Sequence, residues 1–185
     1  AKIKKSSPLR VVFVSRISEK KNLVGAIEML RRVSGSVIFD VYGPAEDLDY
    51  WRECEVAVKK LPDHIVFNYR GALHPAQIPD VLVNYDLFYL PTMGENFGHV
   101  IAEALGCGLP VLISDATPWR DLVEKKIGWD ISLDQPLRFS SCIDACCEKP
   151  EDEYAVWRKD IRAWALRNIG NTDSLEKNRR LFLEL

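Results

Sequence analysis

The 185-residue chain is 47% hydrophobic and carries 25 Lys and Arg against 27 Asp and Glu, a formal net charge of −2. That length and apolar content predict one sizeable core in a single domain, and the interspersion of the two signs excludes a nucleic-acid-binding surface. With no apolar run of about 18 residues and no leader before Leu9, the expectation is a cytoplasmic chain without a transmembrane segment.

Residues 1–8 open with the short basic stretch Lys2 to Lys5 and read as the remnant of a linker. Leu9 to Ser15 (LRVVFVS) is a continuous apolar run, as a central parallel strand requires when both of its faces are covered. Arg16 to Leu23 is a polar loop, and a helix follows with Leu23, Ala26, Ile27, Leu30 and Val33 at helical spacing. A second strand is predicted at Val37 to Tyr42, closed by Gly43-Pro44, and a second helix from about Asp47 to Lys60. His64 to Asn68 is the third strand, Arg70-Gly71-Ala72-Leu73 forms a turn, and Pro75 opens a helix immediately after His74. Asp86 to Leu90 (DLFYL) is the fourth strand. A helix begins near Phe97, Val111 to Ser114 is the fifth strand, and a short sixth lies around Gly128 to Ser132. The remainder is helical. Tyr154, Trp157, Ile161, Trp164 and Asn168 are spaced as one packing face, and Leu175 to Leu185 makes a last helix within residues 169–185.

Strand and helix alternate from Leu9 to about Ile131 without a hairpin signal or an internal repeat. The fold class is therefore α/β, a doubly wound parallel sheet over residues 9–168 with helices at its carboxyl end. Ligands of such sheets bind beyond the carboxyl ends of the strands. Arg16, Gly43, the stretch Arg70 to Leu73, and Glu95 all fall there, after the first, second, third and fourth strands.

The stretch PTMGENFGHVIAEALGCGLPVLIS, Pro91 to Ser114, concentrates the chemistry. Val100, Ile101, Ala104 and Leu105 share one side of its helix, and Glu103 stands roughly 130° from the centre of that arc. A carboxylate in such a place needs donors, either a protein cation or the hydroxyls of a ligand, because burying it alone costs several kcal/mol. Before the helix, Gly94, Asn96 and Gly98 surround Phe97 and free backbone N–H groups to meet an anion. Phe97 itself is expected to pack. The pattern Asp47-Leu48-Asp49 could hold a metal, but at a helix start it reads as a cap. His64, His74 and His99 share no metal-ligand spacing, so no metal site is predicted. Five cysteines without C-x2-C spacing predict reduced thiols, with Cys142, Cys146 and Cys147 as packing residues.

Glu-x7-Glu in the form ENFGHVIAE, followed by Gly108-Leu109-Pro110-Val111, resembles the signature of the large retaining glycosyltransferase family with the GT-B fold. That family includes sucrose synthases, sucrose-phosphate synthases and bacterial lipopolysaccharide and capsule sugar transferases. The resemblance runs from about Leu9 to Ile131 and implies the Rossmann-like, carboxy-terminal half that binds the nucleotide-sugar donor. By match, Glu95 faces the donor sugar's hydroxyls and Glu103 holds the ribose. Arg16 and Lys21 keep the places of an Arg and a Lys that grip the diphosphate, although RISEKK departs from the usual RxxPEK. Asn96, Phe97 and Gly98 would add backbone N–H groups, Gly43 would lie beside the donor, and Arg70, Gly71, Ala72 and Leu73 would read the nucleobase edge. The loop Thr117-Pro118-Trp119-Arg120-Asp121 departs from the family's Gly-rich stretch and Pro-Glu. The resemblance further implies no cofactor or metal, a nucleotide-sugar substrate with UDP favoured over GDP, and an absent amino-terminal acceptor domain. It leaves room for peripheral membrane association of the full-length enzyme. A sugar-nucleotide epimerase-like domain and a non-catalytic nucleotide-binding module remain alternatives. A dehydrogenase is disfavoured by the lack of G-x-G-x-x-G after the first strand.

Overall fold

A computed structural model describes residues 7–170. Six strands form one sheet: β1 (Leu9–Val14), β2 (Val37–Tyr42), β3 (Ile65–Gly71), β4 (Leu87–Leu90), β5 (Val111–Ser114) and β6 (Gly128–Ile131). Every pairing is parallel, and the spatial order is β3-β2-β1-β4-β5-β6. The order reverses between β1 and β4, the crevice in which doubly wound sheets take ligands.

Six α-helices accompany the strands: α1 (Leu23–Leu30), α2 (Leu48–Val58), α3 (Ile78–Leu82), α4 (His99–Gly106), α5 (Pro136–Glu148) and α6 (Glu151–Asn168). Helix α1 packs on α2 and α5, while α4 packs on α3 and α6. Strands β1, β4 and β5 are therefore covered on both faces, which explains why they are written as apolar runs. Phe13, Phe39, Phe88, Tyr89 and Phe139 are fully buried, and Tyr89 lies 5.8 Å from Phe39 and 6.3 Å from Phe139 across the sheet–helix seam. At roughly 1.5–3 kcal/mol for each large apolar side chain removed from water, this seam supplies much of the driving force for folding.

Helix ends follow local chemistry. Asp47 caps α2 by accepting from the Tyr50 amide at 3.0 Å, so its D-x-D serves as a cap, and Asp49 pairs with Arg52. Asn22, in the left-handed conformation at φ 58°, caps α1 and reaches across to donate to the Pro91 carbonyl at 2.9 Å. That bond ties the loop after β1 to the end of β4.

Several details differ from expectation. The third strand continues to Gly71, so Arg70 and Gly71 are strand residues. A register shift between Val41 and Tyr42 lets the Gly43 amide donate to the Gly71 carbonyl at 2.9 Å and prolongs the pairing. Helix α4 starts at His99, two residues later than predicted, because Gly98 is left-handed at φ 76°. Asn168 does not join the packing face of α6: it is exposed and its side chain donates to the Trp164 carbonyl, while Tyr154, Ile161 and Ala165 are buried. The Leu175 to Leu185 helix and most of the basic start lie outside the described residues.

All five cysteines are free thiols. Burial pushes the Cys54 and Cys146 thiols up to about 12. Both should therefore resist alkylation in the native protein at pH 8 and react fully once urea unfolds it, a difference read by mass spectrometry of iodoacetamide-treated samples. The sign of the pH effect follows. The unfolded chain ionises these thiols from near 9.0 and the folded chain near 12, so stability falls as pH rises through that interval.

Candidate functional site

The carboxyl ends of β1 and β2 and the start of α4 enclose a recess of about 330 Å³, walled by Ser15, Arg16, Gly43, Leu73, Glu95 and Gly98 among others. Gly43 has φ 146°, and a β-carbon there would collide with the Ser15 carbonyl. Only glycine lets the chain leaving β2 pass this close to the chain leaving β1. The Tyr69 hydroxyl fixes that exit by donating to the Gly43 carbonyl at 2.7 Å.

One ion pair spans the reversal point. Lys21 Nζ lies 2.6 Å from Glu95 Oε2, with the two side chains 14% and 19% exposed. The Asn96 amide donates to Glu95 Oε1 at 3.2 Å, so this N–H is engaged by the protein's own carboxylate. The loops around the pair are knitted together. The Met93 amide donates to the Lys20 carbonyl at 2.8 Å, the Glu95 amide to the Ala116 carbonyl at 3.1 Å, and Ser114 Oγ to the Thr92 carbonyl. The amides of Phe97 and Gly98, by contrast, have no acceptor among the described residues.

Glu103 is buried on α4, at 8% exposure. Phe97, expected to pack, is instead half exposed and stacked 4.5 Å from His99. The side chain of Trp119 lies against this turn, its Nε1–H donating to the Phe97 carbonyl at 2.7 Å.

The Arg70 side chain is engaged within the protein. Its guanidinium turns to Asp40 Oδ2, 3.2 Å away, and the Asp40 charge holds it above its ordinary range. Asp40 is 1% exposed and also accepts from Asn68 at 2.8 Å and from the Tyr85 hydroxyl at 2.7 Å. Because the single Tyr85 proton goes to Asp40, the Tyr42 hydroxyl 3.0 Å away donates to Tyr85. Tyr42 lines the recess, so a buried carboxylate fixes its wall through two phenols. Asp40 escaped the sequence reading; its signal is one charge inside the apolar strand VIFDVY.

Of the predicted site residues, Arg16, Gly43, Leu73, Glu95 and Gly98 border the recess, and Lys21 reaches it through Glu95. Arg70, Gly71, Ala72, Asn96, Phe97 and Glu103 are not among its lining residues. Tyr42 and Ser15 line it unpredicted, although strand-end position marked both. His74 caps the turn before α3, and no cluster of His, Cys, Asp and Glu able to hold a metal ion occurs among the described residues.

The family model of glycosyl transferases group 1 matches residues 1–164. The chain belongs to this family. It is 31% identical over 132 residues to the amylovoran biosynthesis glycosyltransferase AmsK of Erwinia amylovora, covering 66% of this chain and 32% of that protein. Among solved structures it resembles HepE of Anabaena with UDP-glucose, at TM-score 0.73 and 21% identity, covering 97% of this chain and 49% of the other. The sucrose-phosphate synthase of Thermosynechococcus elongatus gives TM-score 0.75 at 17% identity over 97% and 47%. This member of the family thus spans about a third of AmsK and about half of these structures. The doubly wound sheet is that of one half of a GT-B enzyme.

Two measurements test the geometry. Asp40→Ala should lower the unfolding free energy by about 2–3 kcal/mol in urea, because it strands the Tyr85 hydroxyl and the Asn68 amide. Lys21→Ala and Glu95→Ala should couple by about 1–2 kcal/mol in a double-mutant cycle, between the exposed and buried limits for ion pairs. Additive effects would show the pair to be energetically idle.

Proposed function

We propose that this chain is the donor-binding half of a retaining, metal-independent glycosyltransferase that passes a hexose from a nucleotide-sugar to a hydroxyl acceptor. The observation that carries the reading is the convergence of Arg16, Lys21 and Glu95 at one rim, in the crevice where strand order reverses. Breaking the sugar–phosphate bond places negative charge on the departing diphosphate, and fixed cations there lower the barrier most. Arg16 supplies a planar fork and Lys21 a point charge with three protons. Lys21 can therefore hold Glu95 with one N–H and meet a phosphate oxygen with another.

Glu95, oriented by Lys21 and the Asn96 amide, would accept from the donor sugar's hydroxyls, and Glu103 from the ribose. Gly43 and Leu73 would flank the nucleotide, with the backbone of Arg70 to Leu73 near the base. Departure of the diphosphate and attack of the acceptor on the same face, helped by a diphosphate oxygen, would keep the anomeric configuration. The UDP and UDP-glucose bound in the HepE structures support a UDP-sugar over a GDP-sugar, and the part of AmsK in amylovoran biosynthesis supports polysaccharide synthesis. The buried, free thiols favour a cytoplasmic setting. An amino-terminal domain would bring the acceptor and the remaining catalytic groups, and any membrane association would belong to that whole enzyme.

Calorimetric titration of the chain with UDP, GDP and ADP, with and without a divalent metal, should find one nucleotide bound tightly without metal, and Glu103→Ala should weaken it roughly tenfold. Unchanged affinity in that variant would favour a site no longer in use. Sugar transfer by this chain alone should be negligible, and conversion of the donor without acceptor would point to an epimerase instead.

A further inference from the structure

The loop after β5 makes a contact that has no part in the proposed donor site. Trp119 is held by its own backbone: its amide donates to Thr117 Oγ1 at 3.1 Å, and Thr117 is buried. From that anchorage the indole Nε1–H donates to the Phe97 carbonyl at 2.7 Å, and the ring meets the Phe97 ring edge-on at 6.3 Å and 74°. The same nitrogen lies 3.3 Å from where a β-carbon on Gly98 would stand.

A peptide unit is planar and trans, so its carbonyl and the following N–H point in opposite directions. Fixing the Phe97 oxygen on Trp119 therefore fixes the Gly98 N–H away from Trp119. Gly98 lines the recess, and its amide has no acceptor among the described residues. The turn needs such a clamp, because Gly94 and the left-handed Gly98 leave its peptide planes free to rotate. Its other tie to the β5 loop, from the Glu95 amide to the Ala116 carbonyl at 3.1 Å, lies two residues earlier and does not set the Phe97–Gly98 plane.

We propose that Trp119 is a positioning residue: its indole N–H holds the Phe97–Gly98 peptide plane so that the Gly98 amide is preset to donate to the diphosphate of the nucleotide-sugar. The inference rests on the donor-site reading. It gives the Thr-Pro-Trp sequence a definite task. The clamp removes the cost of ordering the turn at the moment of binding, which raises affinity without adding a contact between Trp119 and the ligand.

The test compares UDP with uridine on the 185-residue chain. Trp119→Phe keeps an aromatic ring against Phe97 and deletes the N–H. It should weaken UDP binding roughly tenfold, the scale of one hydrogen bond to a charged group, and leave uridine binding and the melting temperature unchanged. In the ligand-free protein, amide hydrogen exchange at Gly98 should quicken in the variant. Equal UDP affinity in wild type and variant would overturn the proposal, as would parallel weakening of UDP and uridine, which marks general damage to the fold. If the wild type binds neither UDP, GDP nor ADP, the donor-site reading fails, and unaltered exchange at Gly98 would then sink the clamp separately.

Discussion

The ion pair between Lys21 and Glu95 is the constraint around which the candidate site is arranged. It joins the loop after β1 to the loop after β4, two strands that are neighbours in the sheet yet separated by the whole β2–β3 excursion. Neither partner is well solvated, so separating them would strand a partly buried charge, and the loops that carry them are not free to drift apart. Asn22 on Pro91 and Met93 on Lys20 repeat the same link in neutral hydrogen bonds. A cation and an anion are thus held in one place where the strand order reverses.

Around that pair the molecule is built from rigid to permissive. The central strands β1, β4 and β5 are buried, the helices α1 and α4 begin at left-handed residues, and Gly43 and Gly128 fall where two chain segments pass in contact. Gly43 permits β2 to exit against Ser15, and the left-handed Gly98 lets α4 start with His99 and Val100 bordering the recess. The carboxylate of Asp40 performs a comparable service, orienting Tyr42 through Tyr85 while holding the Arg70 guanidinium. A buried charge with three donors is a high-stakes arrangement, stable only when every donor is present.

Membership of the group 1 glycosyl transferases fixes the architecture, and the likeness to HepE and sucrose-phosphate synthase, at 21% and 17% identity, extends no further than the fold. Within that architecture the site's shape is set by side-chain contacts: the Trp119 indole on the Phe97 carbonyl, the half-exposed Phe97 ring against His99, and the Asp40 network.

The amino-acid sequence alone determined the strands, their parallel arrangement and the rim on which Arg16, Gly43 and Glu95 stand, because apolar runs, helical spacing and cap residues are local signals with fixed periods. It also marked Glu95 and Glu103 through their motif. Only the tertiary structure decided which polar groups meet. Lys21 and Glu95 are 74 residues apart, Tyr85 and Asp40 are 45 apart, and Trp119 and Phe97 are 22 apart. Such pairings follow from strand order, which no single segment encodes. Arg70 is the plainest case: its half-exposed side chain pairs with the buried Asp40 carboxylate on the neighbouring strand, beside the register irregularity between β2 and β3, and neither strand read alone announces that pair.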